Sequence, residues 1–340
     1  MIDNEGVRAV KADRCMLCGS EGTVLYSNLH DRLFGAPGVW SLMECPACQL
    51  VWLNPRPISE DIGKLYCQYF THQVVEAPSG ALSGLKKSVK ESVLRSSFGY
   101  PIDRSHTIMG QVLGRIGPLR EIVCGGVMWL RGEERGRLLD VGCGNGMFLD
   151  RMRQLGWEVA GVEPDAAAVA VAREKLGLEV FQGSLEDAKF PDGHFDAITM
   201  NHVIEHVPDP IGTLKECHRV LRPGGKLVVV TPNIKSMGYQ VFGEHWRGLE
   251  VPRHLHLFSP QSLREAAERA GLRVQEMRTT ARSARWIYAA SSCIRRDGAL
   301  PGCSPTRAGV RMRLQGLAFQ AIEHARGGGE ELVMVAGRRG

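Results

Sequence analysis

The sequence predicts an α/β fold, a parallel sheet with helices on both faces, preceded by a small cysteine-bound unit and a helical cap. Three observations predict it. Residues 137–149, Arg-Leu-Leu-Asp-Val-Gly-Cys-Gly-Asn-Gly-Met-Phe-Leu, read as a short buried strand, a tight glycine loop and the start of an apolar-faced helix. From residue 134 onward strand and helix patterns alternate, as crossover units of a parallel sheet require. Two C-x-x-C pairs, Cys15/Cys18 and Cys45/Cys48, lie near the N-terminus.

A chain of 340 residues can bury one sizeable core plus a smaller unit. Its net charge of +5 comes without a dense Lys/Arg run, which argues against nucleic acid as a partner. Met1-Ile2-Asp3-Asn4-Glu5 lacks the basic region and apolar core of a signal peptide. The longest uncharged apolar run, Ile122 to Leu130, is too short to span a bilayer, so a cytoplasmic protein is expected. The sequence assigns no oligomeric state.

Residues 1–57 are expected to form a zinc ribbon. Each C-x-x-C pair places two thiolates on one turn, and two such turns close a tetrahedral site. Gly22 to Tyr26 and Trp40 to Met43 read as its strands, and Gln49 to Pro57 leaves it as an extended segment stopped by proline. So small a segment buries little apolar surface alone, which gives a metal a structural task. With four protein ligands the site is closed, hence structural. His30 and Cys67 are spare candidates without ligand spacing.

Residues 58–133 read as a helical cap or linker. A helix is expected from Ser59 to Tyr66, a loop over Ala77 to Gly80, and helices over Leu82–Leu94 and, broken by glycines, Ile108–Leu130. The run Val123 to Leu130 is expected to be a buried cap helix, with peripheral membrane or acyl-chain contact as its alternative.

Residues 134–340 form the third unit. Gly142, Gly144 and Gly146 let the backbone turn sharply and approach a ligand, and the helix that follows aims its first amides there. Met147 stands where a dinucleotide fingerprint needs its third glycine, which comes one residue early. Asp140, where the loop leaves the strand, is of little use to a pyrophosphate but suits an ammonium group. S-adenosylmethionine offers an ammonium, a carboxylate, a ribose diol and an adenine. Residues Asp140 to Gly146 resemble the first motif of class I S-adenosylmethionine-dependent methyltransferases. That resemblance implies a Rossmann-like seven-stranded methyltransferase sheet, whose last strand, Leu332 to Ala336, would be antiparallel.

Further strands are expected at Trp157–Val162, Leu178–Phe181, Phe195–Met200, Lys226–Thr231 and Leu272–Thr279. Asp165 would cap a helix closed by Gly177, and Ser259 would cap one opened by Pro260. Glu163, at the end of the second strand, can accept both ribose hydroxyls of a nucleoside cofactor, with Pro164 opening the turn after it. Ser184 and Leu185 would flank the adenine, although Gly-Ser-Leu-Glu departs from the family's commoner Asp-Ala form. Asn201, with His202 beside it, ends the fourth strand facing the methionine end. Cys143 completes the expected cofactor set with Asp140, Gly142, Gly144 and Gly146.

His202-Val203-Ile204-Glu205-His206 contains H-x-x-E-H, the inverted zinc-protease pattern. Pro208 forbids the sustained helix that chemistry requires, so the pattern is rejected. The segment is similar to the Glu-His-Val motif of ubiquinone-biosynthesis O-methyltransferases, which implies Glu205 and His206 beside the methyl acceptor. A divalent ion has been proposed there, but His202 replaces an acid of those enzymes. After the fifth strand, residues 244–259 carry three histidines, two arginines and a tryptophan on the rim of the expected crevice. This segment resembles the Pro-x-His-Leu stretch of zinc-bearing bacterial methyltransferases acting on sugars and related metabolites, which implies His254 as general base, with His206 as competitor. The expected activity is methyl transfer from S-adenosylmethionine to a hydroxyl of a sugar, nucleotide-sugar, glycolipid or quinone-like metabolite. An rRNA methyltransferase with a zinc module, and a cofactor-binding partner protein without catalysis, are the alternatives.

Overall fold

The computed structural model describes residues 1–66, 81–102, 107–300 and 310–338; the expected loop at Ala77–Gly80 and the spare candidate Cys67 lie outside them. Packing groups the chain into two compact units, one of Met1–Tyr69, Asn201–Lys215 and Val229–Ala336, the other of Phe70–Met200, Glu216–Val228 and Gly337–Gly340.

Among the described residues six strands come first: β1 (Ile2–Asn4), β2 (Val7–Val10), β3 (Thr23–Leu29), β4 (Trp40–Glu44), β5 (Val51–Asn54) and β6 (Arg56–Pro57). Eight follow: β7 (Arg137–Val141), β8 (Glu158–Glu163), β9 (Val180–Gln182), β10 (Phe195–Asn201), β11 (Leu221–Pro232), β12 (His256–Leu257), β13 (Arg273–Thr280) and β14 (Glu331–Gly337). Seven form one sheet in the order β13-β14-β11-β10-β7-β8-β9, so the last strand of the chain lies between the two that precede it in the sheet's sequence. This is the expected Rossmann-like methyltransferase arrangement.

In the second unit, Leu138, Leu139, Asp140 and Val141 pair in parallel with Ala197 to Met200 on one side and with Val159 to Val162 on the other. Of these, β7 and β10 are buried on both faces and read as largely apolar for that reason. The helix Ala166–Leu176 starts where Asp165 accepts the Ala167 amide at 2.9 Å and ends at Gly177, whose φ of +59° closes it.

In the first unit, β12, β5, β4 and β3 form a four-stranded sheet, with His256 opposite Trp52 and Leu257 opposite Val51. Trp40, Leu42 and Leu53 from its strands share one core with Trp246, Leu249 and Leu255 from the late loop. Thus the ribbon recruits a strand from residues 256–257 that the sequence does not announce. A second small sheet, β1-β2-β6, was also not expected.

Other differences are local. The strand expected at Lys226–Thr231 is longer, since β11 runs unbroken from Leu221 to Pro232. The region Ile108–Leu130 yields helices Thr107–Leu113 and Gly117–Gly125; Val123, Cys124, Val127 and Leu130 are buried, but the expected helix over Val123–Leu130 stops at Gly125 and continues as a turn over residues 126–129. Helices Ala284–Asp297 and Val310–Arg326 carry no sequence expectation. Among the described residues no helix is long and apolar enough to cross a membrane.

Candidate active site

The glycine loop leaves β7 with Gly142, Gly144 and Gly146 at φ of +69°, +53° and +80°. A side chain is strained at such angles. At Gly146 a Cβ would also stand 2.6 Å from Leu178 Cδ1, so the loop can pack there only as glycine. The amides of Gly142 and Cys143 both donate to the Val162 carbonyl. Gly144 donates to Glu163 Oε2, and Asp165 to Glu163 Oε1. Cys143 is buried, its thiol pushed up by desolvation, while Pro164 is exposed.

Asp140 is 5 % exposed and accepts the Thr199 hydroxyl at 2.6 Å. Burial pushes its carboxyl up to about 7; the Thr199 bond pulls the other way, and the charge of Glu163 adds to the rise. Among the described residues no cation bonds to it. Ser184 caps the short turn of helix Leu185–Ala188 by accepting the Asp187 amide, and Leu185 is buried beneath it.

Asn201 and His202 belong to the first unit. Asn201 is exposed and its Oδ1 accepts Arg282 Nη2 at 3.0 Å. His202, at φ +55°, places Nδ1 3.1 Å from Glu205 Oε1 and Nε2 2.9 Å from Glu331 Oε1. Burial alone would lower its pKa, but the two carboxylates hold it at about 10, so the ring is an imidazolium at neutral pH. Glu205, fully buried, would be raised by desolvation, yet His202 brings it down to about 2. Its Oε2 accepts the Thr231 hydroxyl at 2.9 Å.

Residues 204–206 form a turn, not a helix, and the next helix starts at Pro210, in keeping with the rejected protease pattern. His206 is half-buried, with Nδ1 3.0 Å from both the Arg253 carbonyl and Tyr66 Oη. A carbonyl only accepts, so a hydrogen sits on Nδ1, and in the neutral ring the lone pair is then on Nε2. His254 lies edge-on to it, with ring centroids 4.8 Å apart. His254 is 4 % exposed; its Nδ1 donates to the Gly248 carbonyl at 2.8 Å, and its Nε2 lies 3.5 Å from Glu250 Oε2. Burial pulls its pKa down to about 4 against the attraction of Glu250. His202, His206 and His254 line a cavity of about 280 Å³ with Trp246, Trp286 and Glu331. That volume suits a single-ring acceptor or a short substituent.

The four N-terminal thiols converge. Cys15 and Cys48 Sγ are 3.4 Å apart, Cys18 and Cys45 3.3 Å, Cys18 and Cys48 3.9 Å. A tetrahedron of Zn–S bonds has edges of about 3.8 Å, so the four thiols fit such an ion. His30 is exposed and lies outside the cluster. Of the other cysteines, Cys124, Cys143 and Cys217 are buried. Cys293 is disulfide-bonded.

The profile of a family described as a methyltransferase domain matches residues 120–277. A ubiquinone biosynthesis O-methyltransferase of Pseudomonas aeruginosa is 32% identical over 177 residues, covering 47% of this chain and 75% of that protein. The chain belongs to the class I S-adenosylmethionine-dependent methyltransferases. A protein of the same description from Alkalilimnicola ehrlichii is 34% identical over 161 residues, covering 44% of this chain and 65% of its own. A solved methyltransferase from Archaeoglobus fulgidus has a TM-score of 0.44 at 18% identity, covering 68% of this chain and 98% of its own, a likeness too distant to bear on function.

S-adenosylmethionine is therefore this methyltransferase's methyl donor, and the loop suits it. A buried carboxyl lifted by desolvation favours an incoming ammonium, and Gly144, with nothing within 4 Å of where a Cβ would stand, leaves space for close approach. Sequence reasoning missed several partners of the site. Thr199 holds Asp140 through the parallel register, Tyr66 reaches His206, and Glu331 charges His202. Only Thr199, inside an expected strand next to β7, carried a usable signal.

Proposed function

We propose that this methyltransferase acts on a hydroxyl of a small-molecule acceptor, in the class of sugars, nucleotide-sugars, glycolipids and quinone-like metabolites. The observation that carries this reading is His206. A backbone carbonyl fixes a hydrogen on its Nδ1, which leaves Nε2 as the atom that can take a proton in the neutral ring, and it lines a 280 Å³ cavity. The relatives described as O-methyltransferases support an oxygen acceptor.

The cofactor supplies a methyl group already activated by its sulfonium, which leaves the protein alignment and proton removal. Asp140 would hold the ammonium, Glu163 the ribose hydroxyls, and the residues Ser184–Leu185 the adenine. On the acceptor side the sequence favours His254 as base. Its burial and lowered pKa make it a weak base, so we assign proton removal to the more exposed His206 and a packing role to His254. Glu205 keeps His202 cationic and fixes the turn that presents His206. Cys15, Cys18, Cys45 and Cys48 would hold one structural zinc.

The test is transfer of labelled methyl groups to a panel of sugar nucleotides, glycolipids and catechols. Label entering a hydroxyl of one class supports the reading. Label entering only ribosomal RNA, or none with the cofactor bound, would favour the alternatives.

A further inference from the structure

We infer that Arg253 is a positioning residue for His206, and that the cysteine-bearing N-terminal segment supplies the socket that holds it. The inference rests on the reading of His206 as the base.

Arg253 is 1 % exposed. Its guanidinium makes a two-pronged ion pair with Asp31, Nη1 to Oδ2 at 2.7 Å and Nη2 to Oδ1 at 2.9 Å. It also donates to the Leu65 carbonyl at 3.3 Å and to Glu250 Oε1 at 3.2 Å, and lies 4.5 Å from the centroid of the Phe34 ring. Asp31 is itself preset, because its carboxylate accepts the amides of Leu33, Phe34 and Ala36. Three of these contacts, Asp31, Phe34 and Leu65, come from the first 66 residues. The backbone of the same arginine accepts the His206 Nδ1 hydrogen.

The next residues reinforce the link. The amides of Leu255 and His256 donate to the Glu205 carbonyl at 2.8 and 3.1 Å, while the Leu53 amide donates to the Leu255 carbonyl. The Glu205–His206 peptide therefore hangs on residues 253–256, and those residues hang on β5 and Asp31. A buried ion pair of this kind stabilises little more than apolar side chains of the same volume would. What it adds is direction, since a planar fork on a preset carboxylate fixes one orientation of the arginine and hence of its carbonyl.

A plug that merely fills space and a residue that positions His206 differ in one observable, the tautomer of the His206 ring. Protein labelled with ¹⁵N in its histidine rings reports it directly, with the His206 signals assigned by their loss in His206→Gln. We expect a single Nδ1–H tautomer in the wild type, and a mixture of both tautomers in Asp31→Asn and Arg253→Lys. Affinity for S-adenosylhomocysteine should stay unchanged in both. A persistent Nδ1–H tautomer in the variants, whatever their melting temperature, would overturn the inference. Should Arg253→Lys not fold, Asp31→Asn, which has the same size, and Phe34→Leu carry the test. Failure of the wild type to bind S-adenosylhomocysteine would refute the methyltransferase reading and leave the tautomer result standing.

Discussion

Gly144 donates its amide to Glu163 Oε2 at 2.8 Å, while Oε1 of the same carboxylate takes the amide of Asp165 at 3.0 Å. One side chain at the end of β8 thus ties the glycine loop to the start of the next helix, and its role is double. Glu163→Ala should loosen the loop as well as remove a ribose partner, and Asp140→Ala should remove the proposed ammonium partner. Each should cost about 1.5–3 kcal/mol of cofactor affinity, the range for hydrogen bonds to charged groups. Calorimetry with S-adenosylhomocysteine measures it, and unchanged affinity in both variants would contradict the assignment.

Cofactor affinity should also depend on pH through Asp140. The free protein holds this carboxyl up at about 7, mainly by burial. An ammonium binds the ionised form, so acidification below that value should weaken binding as the proton competes. Asp140→Asn should bind weakly with a flat profile across the same range. A wild type with the same flat profile would show that the ammonium is held elsewhere.

The purified protein should carry one zinc per chain, and Cys45→Ser should lose it. The sheet that contains β12 ties the ribbon to residues 256–257, so metal loss should lower the unfolding temperature of the whole first unit. Elemental analysis and thermal unfolding check this together. A metal-free wild type with an unchanged melting temperature would remove zinc from the account.

What the sequence made legible was local. Asp140, the three glycines and Glu163 lie within one strand-loop-helix-strand passage, and their spacing dictates the turn that the structure contains. The C-x-x-C pairs are legible for the same reason, since each is a single turn. Contacts across long separations were not. The Thr199–Asp140 bond needs the register of two parallel strands, and the Tyr66–His206 contact joins residues 140 positions apart. Helix Ala284–Asp297 escaped notice because its buried face includes Ser291 and Ala residues in place of large apolar side chains. His254 shows the opposite error. A histidine in a loop of charged neighbours carries no sign of burial, but His254 lies two residues before β12, where the chain turns into the ribbon sheet, and its ring is buried.

Stability should have an acid limb set by two buried histidines. Burial lowers His254 to about 4 and His256 to about 3, from 6.5. Between those values the unfolded chain binds protons that the folded one refuses, so stability falls as the pH drops from 6.5 toward the folded values. His202 acts in the opposite sense, because its raised pKa contributes stability below 6.5 that is lost as the pH rises through about 10. Urea unfolding of His256→Gln between pH 4 and 7 should show a shallower acid limb than the wild type. Parallel limbs would mean that other groups govern the loss.

The base is decided by two substitutions. His206 and His254 face each other at 4.8 Å between ring centroids, both with a hydrogen fixed on Nδ1 by a backbone carbonyl, Arg253 for one and Gly248 for the other. They differ in exposure and in what faces Nε2. His206 is half-buried at the cavity, whereas His254 is buried with Glu250 Oε2 3.5 Å from its Nε2. A positioned general base contributes about 10²–10⁴-fold to proton removal, and it works best with a pKa near the working pH. At about 4, His254 is too weak a base to match that condition. His206→Gln should therefore cut turnover on a hydroxyl acceptor by about 10²–10⁴-fold with cofactor affinity retained. His254→Gln should lower turnover less, with its effect seen mainly in melting temperature. If His254→Gln is inactive while folded and His206→Gln turns over normally, the base is His254, and burial has made it selective without making it idle.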